Sequence, residues 1–234
     1  MEAFETYQHE GVTVELHYDD DDGRWANPRE CDNVTTLVCW HPDYILGDYQ
    51  IHNPEGRGAI GQVFETDGGR TDFSSMNVLH RYLSLAVGAK RITPLYLYDH
   101  SGISMSAGSP NVFDTGGWDT TMVGFAYVTE EKLAECCGDG DEYRTDEWID
   151  KAIHDDVRYY DQFLRGEVYG YIVDPGGDDQ ESCWGFIGDN CVREEANAVA
   201  EYAAQAKAER RRKRGRGLHR GGLVTAGGTG RGTR

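Results

Sequence analysis

Lysine is nearly missing from this chain: five residues in 234, against 18 Arg and 41 Asp and Glu. That balance gives a strongly hydrated surface suited to solubility or to high salt. Long apolar runs are missing too. No segment approaches the roughly 20 apolar residues that a membrane helix needs, so no membrane contact is expected. The opening Met-Glu-Ala-Phe-Glu lacks the positive stretch and apolar run of a secretory signal, which sets the expectation of a cytoplasmic protein.

Motifs of familiar chemistry are also lacking. The six cysteines, Cys31, Cys39, Cys136, Cys137, Cys183 and Cys191, form no C-x-x-C, which argues against a thiolate zinc site and for free thiols in a reducing compartment. There is no G-x-x-x-x-G-K-S/T, no G-x-G-x-x-G after a strand, no H-E-x-x-H, no deaminase zinc signature and no G-x-S-x-G elbow.

What is present describes a globular body. Apolar residues make up only 38% of the chain, but aromatics reach 11%, and a disordered chain of this charge would lack the rings needed to bury surface. The charge is unevenly spread. Ten of the 23 Lys and Arg but one of the 41 acids lie from Lys207 to Arg234, leaving 13 cations against 40 carboxylates, about −27, in positions 1–206. The reading is a single acidic domain over 1–207 and a basic, Gly/Arg-rich, disordered tail over 208–234. The acidic body repels nucleic acid and attracts basic partners, and the tail can hold phosphates or fold back as a counter-charge.

Alternation and β-branched or aromatic runs predict six strands, at Val12–His17, Val34–Trp40, Ile92–Tyr98, Met122–Val128, Glu167–Val173 and Ser182–Ile187, with the last two forming a hairpin. Helical spacing predicts Phe73–Gly88, Thr129–Cys136, Asp146–Leu164 and an alanine-rich helix over Val192–Lys207. Strands and helices follow no strict βαβ rhythm. The expected class is therefore α+β, with a mixed or antiparallel sheet.

Three clusters are candidate sites. Asp19, Asp20, Asp21 and Asp22 open an acidic loop, but aligning Gly23 to the glycine of a calcium loop puts Tyr18 and Arg29 where carboxylates are required. A looser calcium site on Asp20, Asp22 and Glu30 stays open, as does a simple interaction surface. His41, Asp43, Asp48 and His52 fall within twelve residues and suit a divalent metal. Asp99, His100 and Ser101 follow an apolar strand and are the residue types of a hydrolytic triad, yet adjacent residues in one turn point apart. The metal set considered with them is His41, Asp48 and Asp119, with a divalent metal as the cofactor it would require. Arg210, Arg211 and Arg212 open the basic run and are the candidate nucleic-acid contacts.

Six blocks carry a resemblance: Asn27–His41 (NPRECDNVTTLVCWH), Leu46–Asp48, Pro94–Ser104 (PLYLYDHSGIS), Trp118–Val128 (WDTTMVGFAYV), Tyr160–Tyr171 (YDQFLRGEVYGY) and Ser182–Asp189 (SCWGFIGD). Over roughly residues 19 to 200 the chain resembles an uncharacterised family of acidic proteins encoded by bacteriophages and mobile elements. The resemblance implies a host-cell setting and no particular chemistry. Two expectations follow. The first is a non-enzymatic accessory protein that binds a host protein through its acidic surface, in the extreme as a DNA mimic or anti-defence factor. The second is a metal-dependent hydrolase or nucleotide-processing enzyme built on the Asp/His cluster.

Overall fold

The computed structural model describes residues 2–19, 27–51, 64–66, 69–71, 75–110, 114, 118–176 and 179–220. In chain order the strands are β1 (Glu5–His9), β2 (Val12–Tyr18), β3 (Thr36–Cys39), β4 (Tyr49–Gln50), β5 (Phe64–Thr66), β6 (Gly69–Thr71), β7 (Arg91–Asp99), β8 (Ile103–Ala107), β9 (Thr120–Val128), β10 (Val168–Asp174) and β11 (Glu181–Ile187). The helices are α1 (Met76–Leu85), α2 (Glu130–Cys137), α3 (Asp146–Leu164) and α4 (Asp189–Arg220). The fold is α+β, as expected. Its contacts gather into two compact units, one from Met1–Tyr18, Tyr169–Trp184 and Asp189–Arg234, the other from Asp19–Val168 and Gly185–Gly188.

The first unit is built on an antiparallel sheet in the order β1-β2-β10-β11. Glu10 and Gly11 join β1 to β2, both in the left-handed region, at φ 50° and 74°. That is the backbone of a two-residue hairpin turn whose twist matches the strands, and glycine adopts it without strain. Val12, Val14 and Leu16 of β2 are buried at period two, and Val192, Ala196 and Ala200 of α4 are buried at every fourth residue. Small alanines on that stripe let the helix approach the sheet closely.

The second unit is built on a five-stranded sheet in the order β4-β3-β9-β7-β8. Alternate residues of one strand face opposite sides. Leu37 and Cys39 of β3 join Leu95, Leu97, Val128 and the α3 stripe Ile149, Ile153, Val157 and Tyr160, while Val38 joins Phe125, Tyr127 and the α1 residues Leu79 and Leu83. Helices thus cover both faces, which is why Met122–Val128 reads as a continuous apolar run instead of an alternating one. A register shift between Leu95 and Tyr96 lets Val123 and Ala126 serve the same face across β9. Each fully buried Leu or Ile here contributes about 1.5 to 3 kcal/mol.

Helix starts follow their sequence signals: Ser75, Thr129 and Thr145 accept the amide of the third residue onward in α1, α2 and α3. The end of α4 does not. It continues through the basic run to Arg220 where the spacing placed its end at Lys207, because Arg and Lys are good helix formers and Glu209 pairs with Lys213 one turn on. The described helix α4 thus runs on into the first residues of the basic segment that the sequence marks as the tail. No described helix is long and apolar enough to cross a membrane.

Candidate functional site

Three strands of the second unit end at one edge of its sheet. β3 and β9 run antiparallel with Cys39 opposite Gly124, and the Trp40 amide donates to the Val123 carbonyl at 2.8 Å. β7 and β9 run antiparallel with Tyr98 opposite Thr120, and the Asp99 amide donates to the Asp119 carbonyl at 2.9 Å. The residues following β3, ending β7 and preceding β9 are consequently brought together: His41, Asp99 with His100, and Asp119.

Their side chains are linked. His41 Nδ1 accepts the amides of Asp43 and Tyr44, both at 3.2 Å, and its ring lies 4.8 Å from that of Tyr44. Tyr44 Oη in turn donates to Asp99 Oδ1 at 3.4 Å. His100 Nδ1 stands 3.4 Å from Asp119 Oδ2. Asp114 holds the start of β9 in place, its carboxylate accepting the amides of Trp118 at 3.2 Å and Asp119 at 3.0 Å. Burial lowers the His41 pKa against the opposing pull of Asp43 and Asp99, which matches a ring whose Nδ1 carries no proton. Burial and the neighbouring Asp99 raise the Tyr44 pKa, so its hydroxyl remains a donor.

Two apolar side chains stand out of this edge into solvent. Trp118, next to Asp119, is 91% exposed, and Ile45, next to Tyr44, is 84% exposed. The segments 41–45, 99–101, 114 and 118–119 carry four carboxylates and no Lys or Arg. The edge is therefore acidic with aromatic and aliphatic points of contact.

The expected catalytic and metal groupings fare differently. Ser101 sits in the turn between β7 and β8 at φ 60°, and among the described residues no hydrogen bond joins it to His100, whose ring faces Asp119. Asp48 stands apart from the metal set. Arg29 grips both its oxygens, with Nε to Oδ1 at 3.0 Å, and the Leu37 amide donates to Oδ2 at 2.7 Å, so its lone pairs are committed to holding the start of β3. Among the described residues no group of three or more His, Cys, Asp or Glu is arranged to hold a metal ion. His41, Asp99, His100 and Asp119 do converge, as a polar network. His52 and Asp20, Asp21 and Asp22 lie outside the described residues; Asp19 donates its amide to the Val168 carbonyl at 2.9 Å.

A separate pocket of about 410 Å³ is lined by Asp32, Glu135 and Cys136. Burial and adjacent acids raise the Cys136 pKa, the reverse of what an activated thiol needs. All six cysteines are free, and Cys31, Cys136, Cys183 and Cys191 are exposed.

Sequence reasoning found Asp99, His100 and Asp119 but passed over Trp118, Tyr44 and Ile45. Trp118 did leave a signal: it follows two glycines in a polar loop, outside any alternating strand pattern, where an aromatic has no core to enter. Compared with protein-family models, curated proteins and solved structures, the chain finds no match in any of the three.

Proposed function

We propose that this chain is a non-enzymatic accessory protein that docks a basic protein partner on the strand-end edge of its second unit. The observation that carries the proposal is Trp118, 91% exposed beside Asp119 and Asp99. Trp118 and Ile45 offer a partner apolar area to cover at this acidic edge, and Trp is among the residues most enriched at the energetic centre of an interface. An arginine or lysine side chain matches the setting on two counts. Its cation stacks on an indole, and the carboxylates of Asp43, Asp99, Asp114 and Asp119 supply charge-assisted acceptors. The charge of about −27 over residues 1–206 extends the same preference over long range and speeds encounter with a cationic partner. The resemblance to acidic phage and mobile-element proteins supplies the setting, in which the partner is a host protein.

The test uses a fluorescently labelled arginine-rich peptide, titrated with full-length protein at low and physiological salt. Binding should weaken at least tenfold for Trp118→Ala, and Asp99→Asn with Asp119→Asn should flatten the salt dependence. Equal affinity for the wild type and all three substitutions would remove this edge as the docking site.

A further inference from the structure

In the first unit α4 runs beside β1 in a regular ladder. Arg193 pairs with Glu5, Tyr7 bonds Asn197, and His9 meets Glu201, so each two-residue step of strand matches one four-residue step of helix. The helix then passes the end of the strand. Lys207 Nζ donates to the Pro175 carbonyl and Arg210 pairs with Asp179, both in the loop between β10 and β11. From Ala208 to Lys213 every residue is exposed. Continuing to Arg220, the helix advances about 15 Å past Arg210 at 1.5 Å per residue.

We propose that this projecting end of α4 is a nucleic-acid-binding arm that lies in the major groove of duplex DNA. Lys207 to Arg220 carries eight Lys and Arg against one Glu. Arg210, Arg211, Arg212 and Lys213 are consecutive, and at 100° per residue they point to four different sides of the helix. A helix that settles on a membrane surface needs an apolar face, and four consecutive cations leave none here. A helix with cations all round fits a channel with phosphates on both walls, and the B-form major groove, about 12 Å wide, admits one helix. The major groove of an RNA duplex is too narrow and deep for the same fit. Two of the four cations are already engaged, Arg210 with Asp179 and Lys213 with Glu209, while among the described residues Arg211 and Arg212 make no ion pair. The arm's length also has a purpose: it carries the contact past Asp179 and the acidic β10–β11 loop, whose carboxylates repel phosphate.

The experiment is fluorescence anisotropy of a labelled duplex of about 20 base pairs with the full chain, from 50 to 200 mM salt. Each lost phosphate contact lowers the slope of log K against log salt by about 0.9, so Arg211→Ala with Arg212→Ala should lower it by about 2 and weaken binding at least tenfold at low salt. Arg211→Lys with Arg212→Lys should keep both. Trp118→Ala should change neither, which separates this arm from the docking edge. The proposal is overturned by no duplex binding, by an unchanged slope in the double alanine variant, by single strands bound as tightly as duplex, or by sedimentation showing that the two arginines instead drive self-association.

Discussion

Tyr7 and Asn197 lie 190 residues apart in the chain and share one hydrogen bond, hydroxyl to side-chain carbonyl, at 2.8 Å. It is the middle rung between β1 and α4, and burial of the phenol raises the Tyr7 pKa. Removing the hydroxyl with Tyr7→Phe should cost about 1 kcal/mol in chemical denaturation. Asn197→Ala should cost a similar amount, and the two together less than their sum.

The Arg29 side chain is 4% exposed and that of its partner Asp48 21%, so the guanidinium is buried while the carboxylate keeps contact with water. Asp48→Ala leaves that guanidinium without its carboxylate and should cost about 2 to 3 kcal/mol. Asp99→Ala, at an exposed edge, should cost less than about 1 kcal/mol. A metal-site role for Asp48 would instead produce a stability loss that added divalent metal changes.

Two glycines predict opposite degrees of tolerance. A Cβ on Gly124 would meet the Val38 carbonyl oxygen at 2.5 Å, and backbone inside a sheet cannot yield, so Gly124→Ala should lose about 3 kcal/mol or fail to fold. On Gly170 the Cβ would strike the Trp184 ring at 2.1 Å, a side chain that can swing out. Gly170→Ala should then cost about 1 to 2 kcal/mol and alter the near-ultraviolet dichroism of the tryptophans.

High pH should loosen the second unit. Burial pushes Tyr127 up to about 12 from an ordinary value near 10, and it raises the thiol of fully buried Cys39 from near 9. The folded chain holds these protons where the unfolded chain releases them, so stability is complete below pH 9 and falls as pH rises above it. The Tyr127 part alone is on the order of 2 to 3 kcal/mol by pH 12. Denaturation curves at pH 8 and pH 10.5 should differ accordingly, and Tyr127→Phe should reduce the difference. At neutral pH a thiol reagent should label Cys31, Cys183 and Cys191 quickly, Cys136 more slowly because its pKa is raised, and Cys39 only on unfolding.

The sheet was largely legible in the sequence. All six expected strands and the hairpin of β10 and β11 are present, because runs such as Ile92–Tyr98 bury every second residue against a helix. The helix Asp146–Leu164 was read to the residue, since Thr145 caps its start and Gly166 follows its end at φ 72°. β1 and β8 were missed for one reason. Glu5–His9 alternates between half-buried and exposed positions but buries none of them fully, its inner positions being Glu, Tyr and His, and in Ile103–Ala107 only Met105 is buried, so neither carries the apolar alternation of a core strand. The site was legible as residue types at strand ends; the grouping was not. That Asp99 and Asp119 share an edge while Asp48 is locked to Arg29 depends on strand pairing, which local spacing does not encode.

The order of the segments in the first unit carries a consequence for synthesis. β1 and β2 leave the ribosome early, but their sheet partners β10 and β11 and the covering helix α4 emerge only after residue 168. The second unit, nearly contiguous from Asp19 to Val168, has most of its chain available long before that. The β1–β2 hairpin must therefore wait, with Val12, Val14 and Leu16 uncovered, until β10, β11 and α4 have been made. Its polar second face, with Thr13 and Glu15, keeps that waiting hairpin from pairing with other nascent chains.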